Sequence, residues 1–91
     1  MTLQSTHAED LYVVPVDDAI AYDLAREAAM TLVGQIASAH PAGTPEHDRD
    51  LQEAIRLRQE LLAVDGRDRR ATEAFHRRIV ELTADRASAR P

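Results

Sequence analysis

The 91-residue chain contains no cysteine. This absence excludes disulfides, thiolate metal sites, cysteine nucleophiles and thiol-based redox switching. A chain that needs no disulfide is typical of a reducing compartment, so we expect a cytoplasmic location.

Aromatic residues are scarce, and Tyr12, Tyr22 and Phe75 are the only ones. A core must therefore be built from Leu, Ile, Val and Ala, whose burial stabilises a fold by roughly 25 cal/mol per Å² of apolar surface. A chain of this length has room for one core. We predict one domain of modest stability over residues 11–87, and oligomerisation commonly compensates for such a small core.

Long apolar runs are missing, since none approaches the ~18 residues needed to span a bilayer. The start, "MTLQSTHAEDL", has neither the positive charge nor the apolar segment of a secretory signal. We therefore expect no membrane partner. Residues 1–10 are polar and aperiodic, which favours a flexible tail, and we expect residues 88–91 to form a frayed end.

Lysine is absent, and all eleven basic residues are arginine in a chain of net charge −5. Arginine in place of lysine, together with abundant alanine, indicates the coding bias of a GC-rich bacterial genome. The negative net charge does not favour bulk attraction to nucleic acid or anionic lipid.

Catalytic motifs are also absent. The sequence has no G-x-S-x-G elbow, phosphate-binding loop or dinucleotide fingerprint, which are the local patterns of several large enzyme classes. A small helical domain offers little concave surface for a substrate. We predict that the protein is not an enzyme and holds no cofactor.

Two arrangements resemble metal sites in spacing alone. Glu73 and His76 have the Glu-x-x-His spacing of helical carboxylate-bridged sites, but such sites need further inward carboxylates and normally a second motif. His40 and His47 flank a connection and would form at best a weak site. We predict no metal site within the chain and leave an intersubunit site open.

Helical periodicity predicts an all-α fold, an antiparallel bundle of three helices at about 17–39, 45–64 and 68–86. "HPAGTP" interrupts the first two helices, with Thr44 as the expected N-cap and Pro45 at the first helical position. Asp65-Gly66 is the expected stop before the third. Short connections favour antiparallel neighbours.

The segment "LYVVPV" at 11–16 precedes the helices. Its β-branched residues suit a short strand, but Pro15 lacks a backbone donor and confines any strand to an edge. We predict an extended or short β-like arm, and its exchange between subunits stays open.

Each predicted helix has an apolar face. On the first helix an over-wide arc indicates a central helix, and its members are Tyr22, Leu24, Ala25, Ala28, Ala29, Leu32, Val33 and Ile36. On the second, Leu51, Ile55 and Leu62 form one stripe, which Ala54, Leu57, Leu61 and Val64 continue around the side. The third buries Ala71, Phe75, Ile79 and Leu82. These spacings follow the helical period.

The over-wide arc of the first helix predicts a homodimer. Its interface candidates are Tyr22, Ala25, Ala29, Val33 and Ile36, which would meet their counterparts or the side of the second helix that carries Leu57, Arg58 and Leu61. Arg58 either packs its stem and extends its head to water, or meets a carboxylate across an interface, namely Asp23 or Glu27 of this chain or of another copy.

The Arg-rich third helix supplies an alternative. Arg67, Arg69, Arg70, Arg77 and Arg78 could contact phosphates in a DNA-associated or antitoxin-like protein. Glu73 and Glu81 stand three or four residues from Arg70 or Arg77, the spacing at which opposite charges meet on a helix. This pattern favours a solvated, neutralised face over a nucleic-acid contact.

The composition and these faces together predict a small non-enzymatic helical interaction or regulatory protein that acts through protein–protein contacts as a homodimer and with another protein. A further hypothesis is that the acidic first half, with Asp10, Asp17, Asp18 and Asp23, binds a basic protein surface.

Overall fold

A computed structural model describes residues 16–89, which form three α-helices and no strand. We name them α1 (Val16–Ala37), α2 (Pro45–Ala63) and α3 (Arg69–Ser88). Each end lies within two residues of its predicted position, so the all-helical prediction is confirmed. The predicted tail at 1–10 and the arm up to residue 15 lie outside the described residues, and Val16 begins α1.

The connection between α1 and α2 ends in the predicted cap. The Thr44 hydroxyl accepts a hydrogen bond from the His47 backbone N–H at 3.1 Å and donates one to the Pro41 carbonyl at 2.8 Å. Pro45 occupies the first turn, where a missing backbone donor costs nothing. Gly43 has φ of +89°, a left-handed conformation that favours glycine.

The connection between α2 and α3 differs from the expected glycine stop. Val64 follows α2 in an extended conformation, and the Asp65 carboxylate accepts the Arg67 backbone N–H at 2.9 Å. Asp68 then caps α3 by accepting the Ala71 N–H at 3.0 Å. Gly66 has no positive φ and instead lies against the ring of Tyr22.

The core forms where all three helices meet. Its nine buried apolar residues are Ala25, Ala29, Leu32 and Ile36 of α1, Ala54, Leu57 and Leu61 of α2, and Phe75 and Ile79 of α3. The spacing of three or four residues places each set along one side of its helix. α1 packs against both α2 and α3, which confirms that it is the central helix.

α2 buries only part of its predicted apolar arc. Leu51, Ile55 and Leu62 are exposed, whereas their neighbours on the wheel, Ala54, Leu57 and Leu61, are buried. α2 packs chiefly against α1, so it buries one narrow stripe, although its apolar arc is wide enough to cover two neighbours. Leu24 of α1 is likewise exposed.

One polar group lies in the core without a hydrogen-bond partner. Thr72 is 1% exposed, and its hydroxyl makes no hydrogen bond to the described part of the chain. By contrast, the hydroxyl of Thr83 donates to the Ile79 carbonyl one turn earlier at 2.8 Å. A buried hydroxyl without a partner loses its hydration without compensation, which destabilises the folded state.

We expect Thr72→Val to stabilise the protein by about 1 kcal/mol, because valine keeps the shape and removes the unsatisfied hydroxyl. Urea unfolding followed by circular dichroism measures the change. Thr72→Ala is the control, since it removes the same hydroxyl but leaves a cavity. A valine variant less stable than the parent would contradict the prediction.

Adjacent leucines on α2 provide a matched test of the core. Leu61 is 5% exposed and Leu62 is 77% exposed. Leu61→Ala should destabilise the fold by about 2–5 kcal/mol because it empties a packed site. Leu62→Ala should change the unfolding free energy by about 0.5 kcal/mol or less. Equal losses in urea unfolding would show that the buried side of α2 is assigned incorrectly.

Candidate interaction surfaces

Most of the predicted dimer interface lies inside a single chain. Five of its residues are buried in the core, namely Ala25, Ala29, Ile36, Leu57 and Leu61. Tyr22 and Val33 are partly buried and pack against that core, and Arg58 alone is exposed. A second copy has no access to the buried five, so any interface must use other side chains.

Ala29→Glu therefore tests the fold rather than a dimer. Ala29 is 1% exposed, and a buried carboxylate without a partner is strongly unfavourable. We expect this variant to lose its cooperative thermal unfolding transition in circular dichroism. Met30→Glu, at a neighbouring exposed position, should keep it. A folded Ala29→Glu variant that only halves its mass would restore the original interface.

The first exposed apolar surface is the α2 stripe, which we define as Leu51, Ile55 and Leu62. Arg58 lies on the same side at the intervening turn. No ion pair within residues 16–89 involves Arg58, so neither Asp23 nor Glu27 of the same chain neutralises it. The α2 stripe is therefore a row of three aliphatic side chains beside one cation.

The second exposed apolar surface is a groove between α1 and α3, which we call the α1/α3 groove. It begins near Asp17, Ile20 and Arg69 and continues to Thr31 and Ala87. The section between Leu24 and Ala87 has a volume of about 600 Å³. The apolar residues along it are Ile20, Ala21, Leu24 and Ala28 of α1 and Val80, Ala84 and Ala87 of α3.

Both large and small apolar side chains line the α1/α3 groove. Ile20, Leu24 and Val80 are each 54% exposed. Ala28, Ala84 and Ala87 leave space between them, since small side chains allow another helix to approach closely. The sequence placed Leu24 on the buried arc, and only the packing shows that it is uncovered.

The rims of the α1/α3 groove carry charges of both signs. Glu27 lines the α1 side, and Arg69 and Glu73 line the α3 side near the start of the groove. Arg77 borders a separate depression on α3 together with Glu73, His76 and Val80. Glu27 and Arg77 take part in no ion pair within the described part of the chain. Glu27 is therefore an acid on the α1 side of the groove that has no ion-pair partner within residues 16–89.

Among the candidate phosphate-binding arginines, Arg69 and Arg78 form ion pairs within residues 16–89. The Arg69 guanidinium lies 3.0 Å from an Asp18 oxygen and 3.2 Å from a Glu73 oxygen. The hydrogen bond to Asp18 is the largest cause of the raised pKa of Arg69. Arg78 pairs with Glu60 of α2.

The predicted pairing on the outer face of α3 is thus corrected in part. Glu73 pairs with Arg69 one turn earlier and not with Arg70 or Arg77. No ion pair among residues 16–89 involves Arg70 or Arg77. Arg67, another of the candidate arginines, lies before α3 in the connection, where its backbone N–H donates to the Asp65 carboxylate.

The proposed acidic surface is interrupted in a similar way. Asp18 is engaged with Arg69, and Asp10 lies outside the described residues. Asp17 and Asp23 remain exposed on α1. Two separated carboxylates are a small target for a basic partner, because exposed charges are screened within about 10 Å at 0.1 M salt.

The candidate metal ligands are dispersed. His40 Nδ1 lies 2.6 Å from an Asp50 oxygen, which ties the first connection to α2. Glu73 is occupied by Arg69. Within residues 16–89 no three His, Cys, Asp or Glu side chains are grouped so that they could hold a metal ion.

None of the three described helices is long and apolar enough to cross a membrane. Comparison with known proteins adds no relative, since no family model, curated protein or solved structure matches the chain. The exposed apolar surfaces are therefore the features of the described chain that bear on its function.

Proposed function

We propose that the protein is a small non-enzymatic interaction or regulatory protein that acts through protein–protein contacts as a homodimer. One observation carries the proposal: exposed aliphatic side chains lie in rows on α1, α2 and α3, outside a core that is already complete. Single exposed apolar residues are ordinary on a protein surface, but contiguous patches mark interaction sites.

The small core supports an oligomer for a second reason. Phe75 is the one aromatic residue buried in it, and three of its nine members are alanines. Aromatic side chains bury about 150–250 Å² each, so their scarcity limits the area buried within one chain. Association would bury more apolar surface and stabilise the folded chain.

The proposal includes an antiparallel order of consecutive helices. Asp18 in the first turn of α1 meets Arg69 in the first turn of α3, and Tyr22 packs against Gly66 just before α3. Glu60 near the end of α2 meets Arg78 within α3. These contacts support α2 running against α1, and α3 running with α1.

The proposed setting is the cytoplasm of a bacterium. The complete absence of cysteine fits a reducing compartment, and the exclusive use of arginine fits a GC-rich genome. The proposal invokes no membrane and no cofactor.

The alternative, a DNA-associated or antitoxin-like protein, rests on Arg70 and Arg77, because Arg69 and Arg78 already pair with carboxylates. A phosphate-binding face gains its affinity from releasing counterions, and a face with fewer available arginines releases fewer of them. The apolar rows therefore support the interaction protein better than the arginines support the alternative.

The proposal predicts a concentration-dependent dimer with twice the 10.1 kDa mass of one chain. Sedimentation equilibrium from submicromolar to high micromolar concentration measures it directly. Moderate salt should leave the dimer intact, because apolar burial drives its association. A single-chain mass at every concentration would contradict the homodimer. Binding to duplex DNA that weakens steeply with added salt would favour the alternative.

A further inference from the structure

We infer that the protein self-associates through α2, which packs antiparallel against α2 of a second copy about a twofold axis. The inference rests on the proposed function and names the surface through which its homodimer forms. The contact surface, which we call the α2 seam, consists of Asp48, Leu51, Ile55 and Arg58. Three properties of the seam support the inference: its spacing, its exposure and the order of its charges.

The α2 seam has the spacing of a coiled-coil contact. Its members follow one another at intervals of three, four and three residues, and Leu62 continues the series four residues later. Intervals that alternate between three and four residues mark the a and d positions of a heptad, at which two helices interlock. The seam therefore presents two aliphatic side chains between two charged ones along roughly 15 Å of helix.

The α2 seam lies outside the core of the single chain. Ala54, Leu57 and Leu61 form the buried side of α2, whereas all four seam residues are exposed. At ~100° per residue the seam is centred roughly 100° from that buried side. Glu60, which meets Arg78 of α3, lies about as far round on the other side of α2. A second helix can therefore reach the seam without displacing α1 or α3.

The order of the side chains makes the α2 seam complementary to its own twofold image. A twofold axis perpendicular to α2 sets the two copies of the helix antiparallel, and each contact between two positions occurs twice. When the axis is level with Glu53, Leu51 lies opposite the partner's Ile55. Asp48 then lies opposite the partner's Arg58. Each pair sets an a position against a d position, so every seam residue meets the seam of the partner.

The charged members of the α2 seam lack an ion pair in the single chain. No ion pair within residues 16–89 involves Asp48 or Arg58. In the dimer each would meet an opposite charge, and the aliphatic side chains between them would be covered. Gln52 and Gln59, which flank the seam on its outer side, carry no charge that would oppose the contact. Complementary charges at both ends of an apolar contact fix its register.

The charges also distinguish two registers of the α2 seam. Moving the axis along α2 until Leu51 lies opposite the partner's Leu62 would cover one more aliphatic side chain of each copy. That alternative register sets Arg58 opposite the partner's Ile55 and brings the two Arg58 side chains near each other, with no carboxylate opposite either. A charge that loses water without gaining a partner is unfavourable. The register with two Asp48–Arg58 contacts is therefore favoured.

The size of the α2 seam predicts a weak, reversible dimer. The exposed row from Asp48 to Leu62 extends roughly 20 Å, and packed helices lie about 8–10 Å apart, so each copy offers a face on the order of 200 Å². Weak and transient interfaces bury less than about 1,200 Å² in total. We therefore expect the dimer to dissociate within the concentration range that sedimentation equilibrium covers.

Mixing two charge-reversal variants tests the α2 seam. Asp48→Arg sets arginine opposite the partner's Arg58, and Arg58→Glu sets glutamate opposite the partner's Asp48. We expect each variant alone to raise the dimer Kd at least about tenfold, since like charges then meet twice. In an equimolar mixture opposite charges meet at both contacts of the heterodimer, which should form with a Kd within about threefold of the parent value. Sedimentation equilibrium measures the Kd values, and circular dichroism verifies the fold.

Matched control variants separate the α2 seam from general charge effects. Glu46→Arg reverses an acid in the first turn of α2, and Arg56→Glu reverses a base near its middle, both outside the seam. Each control should leave the Kd within about threefold of the parent value, since exposed charges beyond the interface are screened. A loss of association in the controls equal to that in the seam variants would overturn the inference.

The remaining outcomes separate this inference from the proposed function. A parent dimer that both seam reversals leave intact would preserve the homodimer and overturn its assignment to α2. Seam variants that dissociate alone and stay apart when mixed would overturn the register. So would a Leu62→Ala variant that weakens the dimer as strongly as Ile55→Ala does, because the alternative register alone covers Leu62. A single-chain mass for the parent at every concentration would overturn the proposed homodimer and this inference together.

Discussion

The fold depends on the burial of one side of α1 between two helices. Ala25, Ala29, Leu32 and Ile36 form a continuous buried line, and both α2 and α3 pack against the helix that carries it. The two alanines leave room for close contact, whereas Leu32 and Ile36 supply the apolar area. A substitution on this line would disturb both packing surfaces together, because protein interiors are close-packed and transmit volume changes.

This central position of α1 also explains the exposed apolar surfaces. α2 and α3 pack mainly against α1 and little against each other, so each buries a narrow stripe and leaves part of its apolar arc uncovered.

Local rules explain which parts of the fold the sequence could predict. Thr44 and Pro45 form the expected start of α2, because capping depends on neighbouring residues alone. The exposure of Leu62 beside the buried Leu61 could not be predicted in this way. Helical periodicity shows that both belong to a wide apolar arc, but which side is covered depends on where α1 and α3 lie.

The candidate site was less predictable for the same reason. Arg69 and Asp18 are 51 residues apart, so no helical spacing could reveal their ion pair. The α1/α3 groove is a property of two helices together, and its residues carry no shared local motif.

The contact between α1 and α3, which includes the ion pair between Asp18 and Arg69, forms late in the synthesis of the chain. α1 needs α3 to cover one of its flanks, yet α3 begins only after α1 and α2 are complete. At about 5–20 residues per second, the nascent α1–α2 pair waits on the order of seconds for the last helix. During that interval the apolar line on α1 is partly open to water, and the newly made chain is a target for chaperones and for neighbouring nascent chains on the same message.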